Sequence, residues 1–317
     1  MESTDSRSAA AEGGAPLVSI VVANYNMAPY VADAIRSLLT QTVADVEVIV
    51  VDDGSTDSSW EIIQQEAARD PRVVPIRQQN AGQASAKNAG IRAARGKFVG
   101  FCDADDVWLP HKLAVQLPEF DDPRVGVVYT DLYAMDAEGN KTGESNIQPR
   151  NGDVLADLFI RNFVPFGTAL VRRDALAECG AFDESYRMGI DWDLWMRIAR
   201  RFHFKHVREW TAMYRVWPGQ MSKDWRGRYF WAFRIMRDFT SRFPSAVDAR
   251  TRRRAFGNTY LNRGFYRGTA GGERLGGSLD VIKGLWFCPT DTSAFRILGK
   301  IWLPRSWQEA WRRSAAE

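Results

Sequence analysis

Residues 46–57, Val-Glu-Val-Ile-Val-Val-Asp-Asp-Gly-Ser-Thr-Asp, decide the fold. The apolar run Val46–Val51 reads as a buried strand, and Asp52-Asp53-Gly54-Ser55 reads as the turn outside its carboxyl end. Upstream, Leu-Val-Ser-Ile-Val-Val-Ala at Leu17–Ala23 reads as another strand. Between the two, residues 29–40 place Val31, Ile35, Leu38 and Leu39 on one helical face. Downstream the alternation continues: a helix from about Ser58 to Ala68, a strand at Arg72–Arg77, a helix from about Ala84 to Arg95, and a strand at Lys97–Cys102 behind Gly96. Strands separated by helices of this length form right-handed parallel crossovers. The expected fold is therefore α/β: a doubly wound, mostly parallel central sheet flanked by helices.

Beyond this unit, Gly126–Asp131 reads as a further strand and the polar stretch Asp136–Gln148 as a loop or hairpin. Helical patterns return at Leu155–Arg161 and Trp192–Arg201, and from about Trp225 the chain reads as helical, rich in Arg, Trp and Phe. The expected organisation is a loose arm over residues 1–16, an α/β domain over 17–222 in two halves, about 17–131 and about 132–222, and a helical, basic C-terminal appendage over 223–317.

A chain of 317 residues with 45% hydrophobic content supports a large core and excludes disorder as the main state. No apolar run reaches the roughly 18–20 residues needed to span a bilayer, and no signal peptide pattern opens the chain. The expectation is a cytoplasmic protein, peripheral at most on the inner face of a membrane. Cys102, Cys179 and Cys288 lie far apart and read as reduced thiols, and His111, His203 and His206 match no metal-ligand spacing. Residues 201–317 carry 23 Lys+Arg against 9 Asp+Glu, leaving 19 against 30 in residues 1–200. An acidic first part and a basic last part point to an anionic partner such as a membrane surface or a phosphorylated acceptor.

In parallel α/β sheets, ligands bind outside the carboxyl ends of the strands. There this sequence collects Ala23-Asn24-Tyr25-Asn26, Asp52–Asp57, Asn80-Ala81-Gly82 and Asp103-Ala104-Asp105-Asp106. Asp53 can accept a base N–H, Tyr25 can stack on a base, and Gly54 permits a tight turn, a combination that suits a nucleoside. Thr56 and Asp57 read as caps of the following helix. Three carboxylates within Asp103–Asp106 call for a cation, and such oxygen ligands suit Mn²⁺ or Mg²⁺ bridging to a diphosphate. Lys87, near a helix start, reads either as a counter-charge to phosphate or as a solvated surface group.

The stretches VSIVVANYNMAPYVADAIRSLLTQT, VIVVDDGSTD, NAGQASAKNAGI, GKFVGFCDADDVWLP and DWDLWMRIA together resemble the family 2 glycosyltransferases of the GT-A fold, over roughly residues 17–222. The resemblance implies that Ala23, Asn24, Tyr25, Asp53, Gly82 and Lys87 belong to the nucleotide site. It implies that Asp103 lies near the ribose and metal, that Asp105 ligates the metal, and that Asp191 is the catalytic base. A carboxylate in that role takes the proton of an acceptor hydroxyl as it attacks the anomeric carbon, and the single displacement inverts the configuration. The chain departs from the family pattern in three places: Ile190-Asp191 replaces Glu-Asp, with Asp193 as a second candidate base; Trp217 stands where a His is frequent; and Lys87 replaces Arg.

Trp192, Trp195, Trp210 and Trp217 could stack on sugars, although Trp195 at helical spacing reads as core. In the last third, FRILGKIWLP and RSWQEAWRR interleave basic and aromatic residues, as segments at a bilayer interface do. A packed appendage with a solvated basic face has the same composition. No nucleic-acid module accompanies it. The reading is an inverting, non-processive transferase moving one sugar from a nucleotide-diphosphate donor, UDP or dTDP before GDP, to a glycan or lipid-linked glycan in polysaccharide biosynthesis. The alternative is a nucleotide-sugar-binding or membrane-docking protein without turnover.

Overall fold

A computed structural model of the chain describes residues 14–303. The expected arm over residues 1–16, apart from its last three residues, and the segment RSWQEAWRR lie outside that range. By its internal contacts the chain divides into two compact units. One runs through Pro149 and adds Pro165–Ala181 and Lys205–Arg215. The other comprises Arg150–Val164, Phe182–Phe204 and the chain from Val216 onward. The stretch 132–222, read as one half, is thus shared between them.

The first unit opens with β1 (Val18–Asn24), α1 (Val31–Leu39), β2 (Val46–Asp52), α2 (Ser59–Arg69), β3 (Val73–Arg77), α3 (Gln83–Ala93) and β4 (Phe98–Asp103). Their order in the sheet is β3-β2-β1-β4, all parallel. Both faces are covered, which is why the strands read as unbroken apolar runs. Val18, Ile20 and Val22 of β1 pack with Val31, Ile35 and Leu38 of α1 and Ile63 of α2. On the opposite face Val21 lies so close to Gly90 of α3 that a Cβ there would sit 2.3 Å from its Cγ1. The sheet is doubly wound because α1 and α2 cover one face and α3 the other.

Beyond β4 the sheet continues as a mixed one. The chain adds β5 (Val107–Trp108), α4 (Lys112–Gln116), β6 (Val125–Met135), β7 (Lys141–Glu144) and then, after α5 (Leu155–Ile160), β8 (Leu170–Arg172). After α6 (Arg173–Cys179) and α7 (Ile190–Ala199) comes the long strand β9 (His203–Arg215). The full order is β3-β2-β1-β4-β8-β6-β9-β5, with β7 paired to β6, and β8 runs antiparallel to both β4 and β6. The polar stretch read as a loop or hairpin is the β6–β7 hairpin, with a register shift at Ala134/Met135. Neither β8 nor β9 was expected, since β8 is three residues long and β9 is interrupted by Lys205, Arg208 and Glu209.

The second unit holds α5, α7, α8 (Trp225–Arg242), α9 (Ala249–Thr269), α10 (Arg274–Phe287) and α11 (Ser293–Trp302). Asp224 and Asp248 cap α8 and α9 by accepting the N–H groups of Gly227 and Thr251, at 3.0 and 2.8 Å. Trp192 and Trp195 of α7 are core residues. The indole of Trp192 donates to Leu158 O at 2.6 Å, and Trp195 packs edge-on against Phe204. Trp192 is therefore no sugar platform. Among the described residues, no helix is long and apolar enough to cross a membrane.

Candidate active site

Register brings the candidate residues of the first unit to one level. Asn24 pairs with Asp52, Ala23 with Asp103, and Asp52 with Arg77 across the parallel ladder. Parallel strands entering this ladder in phase also leave it in phase, so the polar residues after each apolar run gather at one sheet edge.

Asn24 is buried, and its Nδ2 donates to Asp52 Oδ1 at 2.9 Å and to Ser55 Oγ at 3.1 Å. It builds the turn from below. Asn26, with φ of 53°, accepts the Thr56 N–H at 2.8 Å through Oδ1, and Asp57 takes the N–H groups of Ala28 and Ser59. Ser58 holds the N-cap position of α2, Asp57 accepts the N–H of the helix's first residue, and Thr56 ties the two loops together. Tyr25, between Asn24 and Asn26, is 45% exposed.

Asp53 is also buried. Its Oδ1 accepts from Gln78 Nε2 at 2.7 Å and Ala81 N at 2.9 Å, and its Oδ2 accepts from Gly82 N at 2.9 Å. The carboxylate therefore clamps the loop that leads into α3. Gly54, at φ of 73°, allows this approach: a Cβ there would lie 2.8 Å from Asn80 N. Gly82, at φ of 90°, begins α3.

Lys87 is not a solvated group. It is buried, with Nζ 3.1 Å from Asp103 Oδ1, 3.1 Å from Gln83 Oε1 and 4.1 Å from the centre of the Phe166 ring. Its charge sits beneath the strand end that carries the carboxylates. Asp103 is partly exposed, while Asp106 is buried and accepts the Arg215 N–H at 2.9 Å. Burial, then the charges of Asp103 and Asp105, push the Asp106 carboxyl well above the usual aspartate range. Arg215 itself is buried; Nε donates to Asp105 O at 2.8 Å, Nη1 donates to Ala137 O at 2.7 Å, and the guanidinium lies over Tyr30. Arg215 fixes the Asp103–Asp106 turn from β9, a role with no local signal in the sequence.

These residues fit a small divalent cation. Asp103 and Asp105 supply hard oxygen donors in one short turn, the kind of ligand that suits Mg²⁺ or Mn²⁺. No group of three or more Asp, Glu, His or Cys side chains is arranged for an ion among the described residues. Mg²⁺ is commonly held through one or two carboxylates and takes its other ligands from phosphate and water.

In the second unit, Asp191 stands in the first turn of α7 behind Gly189, whose φ is 71°. It is partly exposed, and its Oδ2 accepts from Asn162 Nδ2 at 2.7 Å. Asn162 was not singled out in the sequence. Asp193, by contrast, is buried and paired with Arg197 Nε at 2.8 Å. Burial raises its pKa and Arg197 opposes that rise. Of the two carboxylates, Asp191 alone keeps an accessible edge. Trp217, where a His was noted as frequent, folds over Gly219, where a Cβ would lie 2.2 Å from the indole.

The fold and this edge of aspartates define an α/β protein of the GT-A type. Residues 19–180, just over half of the chain, match the model for glycosyl transferase family 2, and the chain belongs to that family. An uncharacterized glycosyltransferase of Nostoc sp., alr2836, is 36% identical over 185 residues; the match covers 56% of this chain and 56% of that protein's own length. Two solved structures share the fold at low identity. Staphylococcus aureus TarS 1-349 in complex with UDP-GlcNAc has TM-score 0.58 and 16% identity, covering 85% of this chain and 91% of that one. The mannosyltransferase PcManGT of Pyrobaculum calidifontis, in complex with GDP-Man and Mn²⁺, has TM-score 0.60 and 19% identity, covering 93% and 88%.

Proposed function

We propose that this chain is an inverting glycosyltransferase that moves one sugar from a nucleotide-diphosphate donor to a hydroxyl of a glycan or lipid-linked glycan. The observation that carries the proposal is the sheet edge where Asp103 and Asp105 follow β4 beside the Asp53-clamped loop and the buried Lys87. Family membership and the nucleotide sugars bound by TarS and PcManGT support it.

In this reading Tyr25 stacks on the base, the edge around Ala23 and Asp53 meets the nucleoside, and Asp53 shapes the loop of Gly82 through its three hydrogen bonds. Asp103 and Asp105 would hold Mn²⁺ or Mg²⁺. When bound, the ion neutralises diphosphate charge and eases departure of the nucleotide. Lys87 holds Asp103 in place and lowers the repulsion among the carboxylates. Asp191, oriented by Asn162, takes the proton of the acceptor hydroxyl as that oxygen attacks the anomeric carbon. The hydroxyl oxygen forms the new glycosidic bond, the bond to the diphosphate breaks, and the nucleotide leaves with its electron pair.

Calorimetric titration with UDP, dTDP, GDP and CDP, each with Mn²⁺ and with chelator, tests this. The expected result is metal-dependent binding of UDP or dTDP in preference to GDP, weakened about tenfold or more by Asp105→Asn. Absence of binding by every nucleotide overturns the donor-site reading, and unchanged metal dependence in the variant removes Asp105 from the site.

A further inference from the structure

Helix α10 presents its residues the wrong way round for a packed helix. Its inward face is Gly277, Asp280, Val281 and Gly284, all buried. Its outward face carries Leu275, Leu279, Ile282 and Trp286, which are 73, 59, 56 and 77% exposed. The spacing of i, i+4, i+7 and i+11 puts all four on one stripe. The cause lies in α9. A Cβ on Gly277 would meet Gly264 O at 2.7 Å, and a Cβ on Gly284 would meet the Leu261 side chain at 2.7 Å. The two helices approach through glycine, and the bulky apolar residues remain outside.

The stripe continues on α11. Phe295 and Trp302, seven residues apart on one face, are 67 and 53% exposed, and Trp302 Nε1 donates to Ser278 Oγ of α10 at 3.1 Å. Large apolar side chains exposed together on two adjoining helices, among the described residues, mark a contact surface rather than ordinary surface scatter. The charges around it have one dominant sign. Lys283 and Arg296 are exposed, whereas Asp280, the only acid within α10, is buried and paired with Arg263 at 2.5 Å. Asp291, before α11, accepts the Ser293 N–H.

We propose that the α10–α11 face is a docking surface for an anionic lipid bilayer. Leucine and isoleucine enter the boundary between headgroups and acyl chains, the indoles of Trp286 and Trp302 lie at headgroup level, and Lys283 and Arg296 meet lipid phosphate. No helix among the described residues can cross a bilayer, so the contact is interfacial. The charge complementarity selects a membrane over a second copy of the chain, since two copies would oppose like charges across the stripe. The surface lies within the second unit and is independent of the donor-site reading.

Co-sedimentation of the full chain with phosphatidylcholine vesicles, with and without phosphatidylglycerol, tests the proposal. Binding is expected to the anionic vesicles and to weaken with salt. Leu279→Ser with Trp286→Ser should lower it about tenfold or more, with the thermal transition retained because both residues are exposed. Lys283→Glu with Arg296→Glu should remove the preference for phosphatidylglycerol. Absence of sedimentation with anionic vesicles, or binding unaffected by the apolar pair, overturns the proposal. A concentration-dependent dimer in sedimentation velocity, lost in the apolar pair and accompanied by no lipid binding, also overturns it and assigns the face to a second copy. Nucleotide affinity, measured on the same variants, is expected to stay unchanged.

Discussion

Asp53 and Asp191 are both aspartates at candidate positions, yet their surroundings assign them different work. Asp53 has its oxygens engaged by Gln78, Ala81 and Gly82. An asparagine there turns an acceptor oxygen into an NH₂ group facing N–H donors. Asp53→Asn is therefore expected to cost about 1–3 kcal/mol of stability and to loosen the Gly82 loop. Thermal unfolding measures the first effect, and a matching loss of nucleotide affinity the second; a variant as stable as the wild type would mean the clamp is not formed. Asp191 accepts a hydrogen bond from Asn162 and is partly exposed. Asp191→Asn should spare nucleotide binding and lower the transfer rate by about 10²–10⁴-fold. Full turnover in this variant would move the proton acceptor elsewhere, but not to Asp193, which is buried against Arg197.

At the scale of elements, the α9–α10 pair depends on the absence of side chains at its crossing. A Cβ on Gly264 would lie 2.7 Å from Gly277 O and 2.8 Å from Val281 Cγ2. Gly264→Ala must push the helices apart, because the nearest obstacle is backbone, and should destabilise by about 1–3 kcal/mol despite the higher helix propensity of alanine. An unchanged or raised melting temperature would mean the helices separate freely. The parallel strands are held by another device. Glu47 of β2 accepts from Ser19 Oγ of β1 at 2.6 Å and from Arg95 N, after α3, at 2.9 Å. Burial pushes its carboxyl upward, but these hydrogen bonds and the Arg95 charge bring it below the usual glutamate range.

For the molecule as a whole, the depressed acid of Glu47 and the buried His206 bias stability in the same direction. Burial lowers the His206 pKa, against the opposing pull of Asp131, whose Oδ2 is 3.4 Å from Nε2. The unfolded chain then binds the proton more readily than the folded one, so stability falls as pH drops below the unfolded histidine value of about 6.5. Glu47 adds a loss at lower pH, where the unfolded chain protonates its carboxylate first. The raised carboxyls of Asp106 and Asp193 act in the opposite sense, so His206 is read by difference: the urea midpoint of the wild type should rise relative to that of His206→Phe as pH increases through the histidine range. A difference that stays constant across that range would remove His206 as a cause. Much of the fold behind these effects was legible in the sequence. Apolar runs locate buried strands and helical spacing locates α1 to α3, so the ends of β1, β2 and β4, with Asn24, Asp53 and Asp103, follow from local pattern. What only the tertiary structure decided are the partners. Lys87 is buried against Asp103, Asp193 belongs to Arg197, and Arg215 reaches the Asp105 carbonyl across 110 positions of sequence. The outward stripe of α10 likewise depends on where the glycines of α9 fall. Periodicity is set by bonds between neighbouring residues, whereas burial and pairing are set by which distant surfaces the packed chain brings into contact.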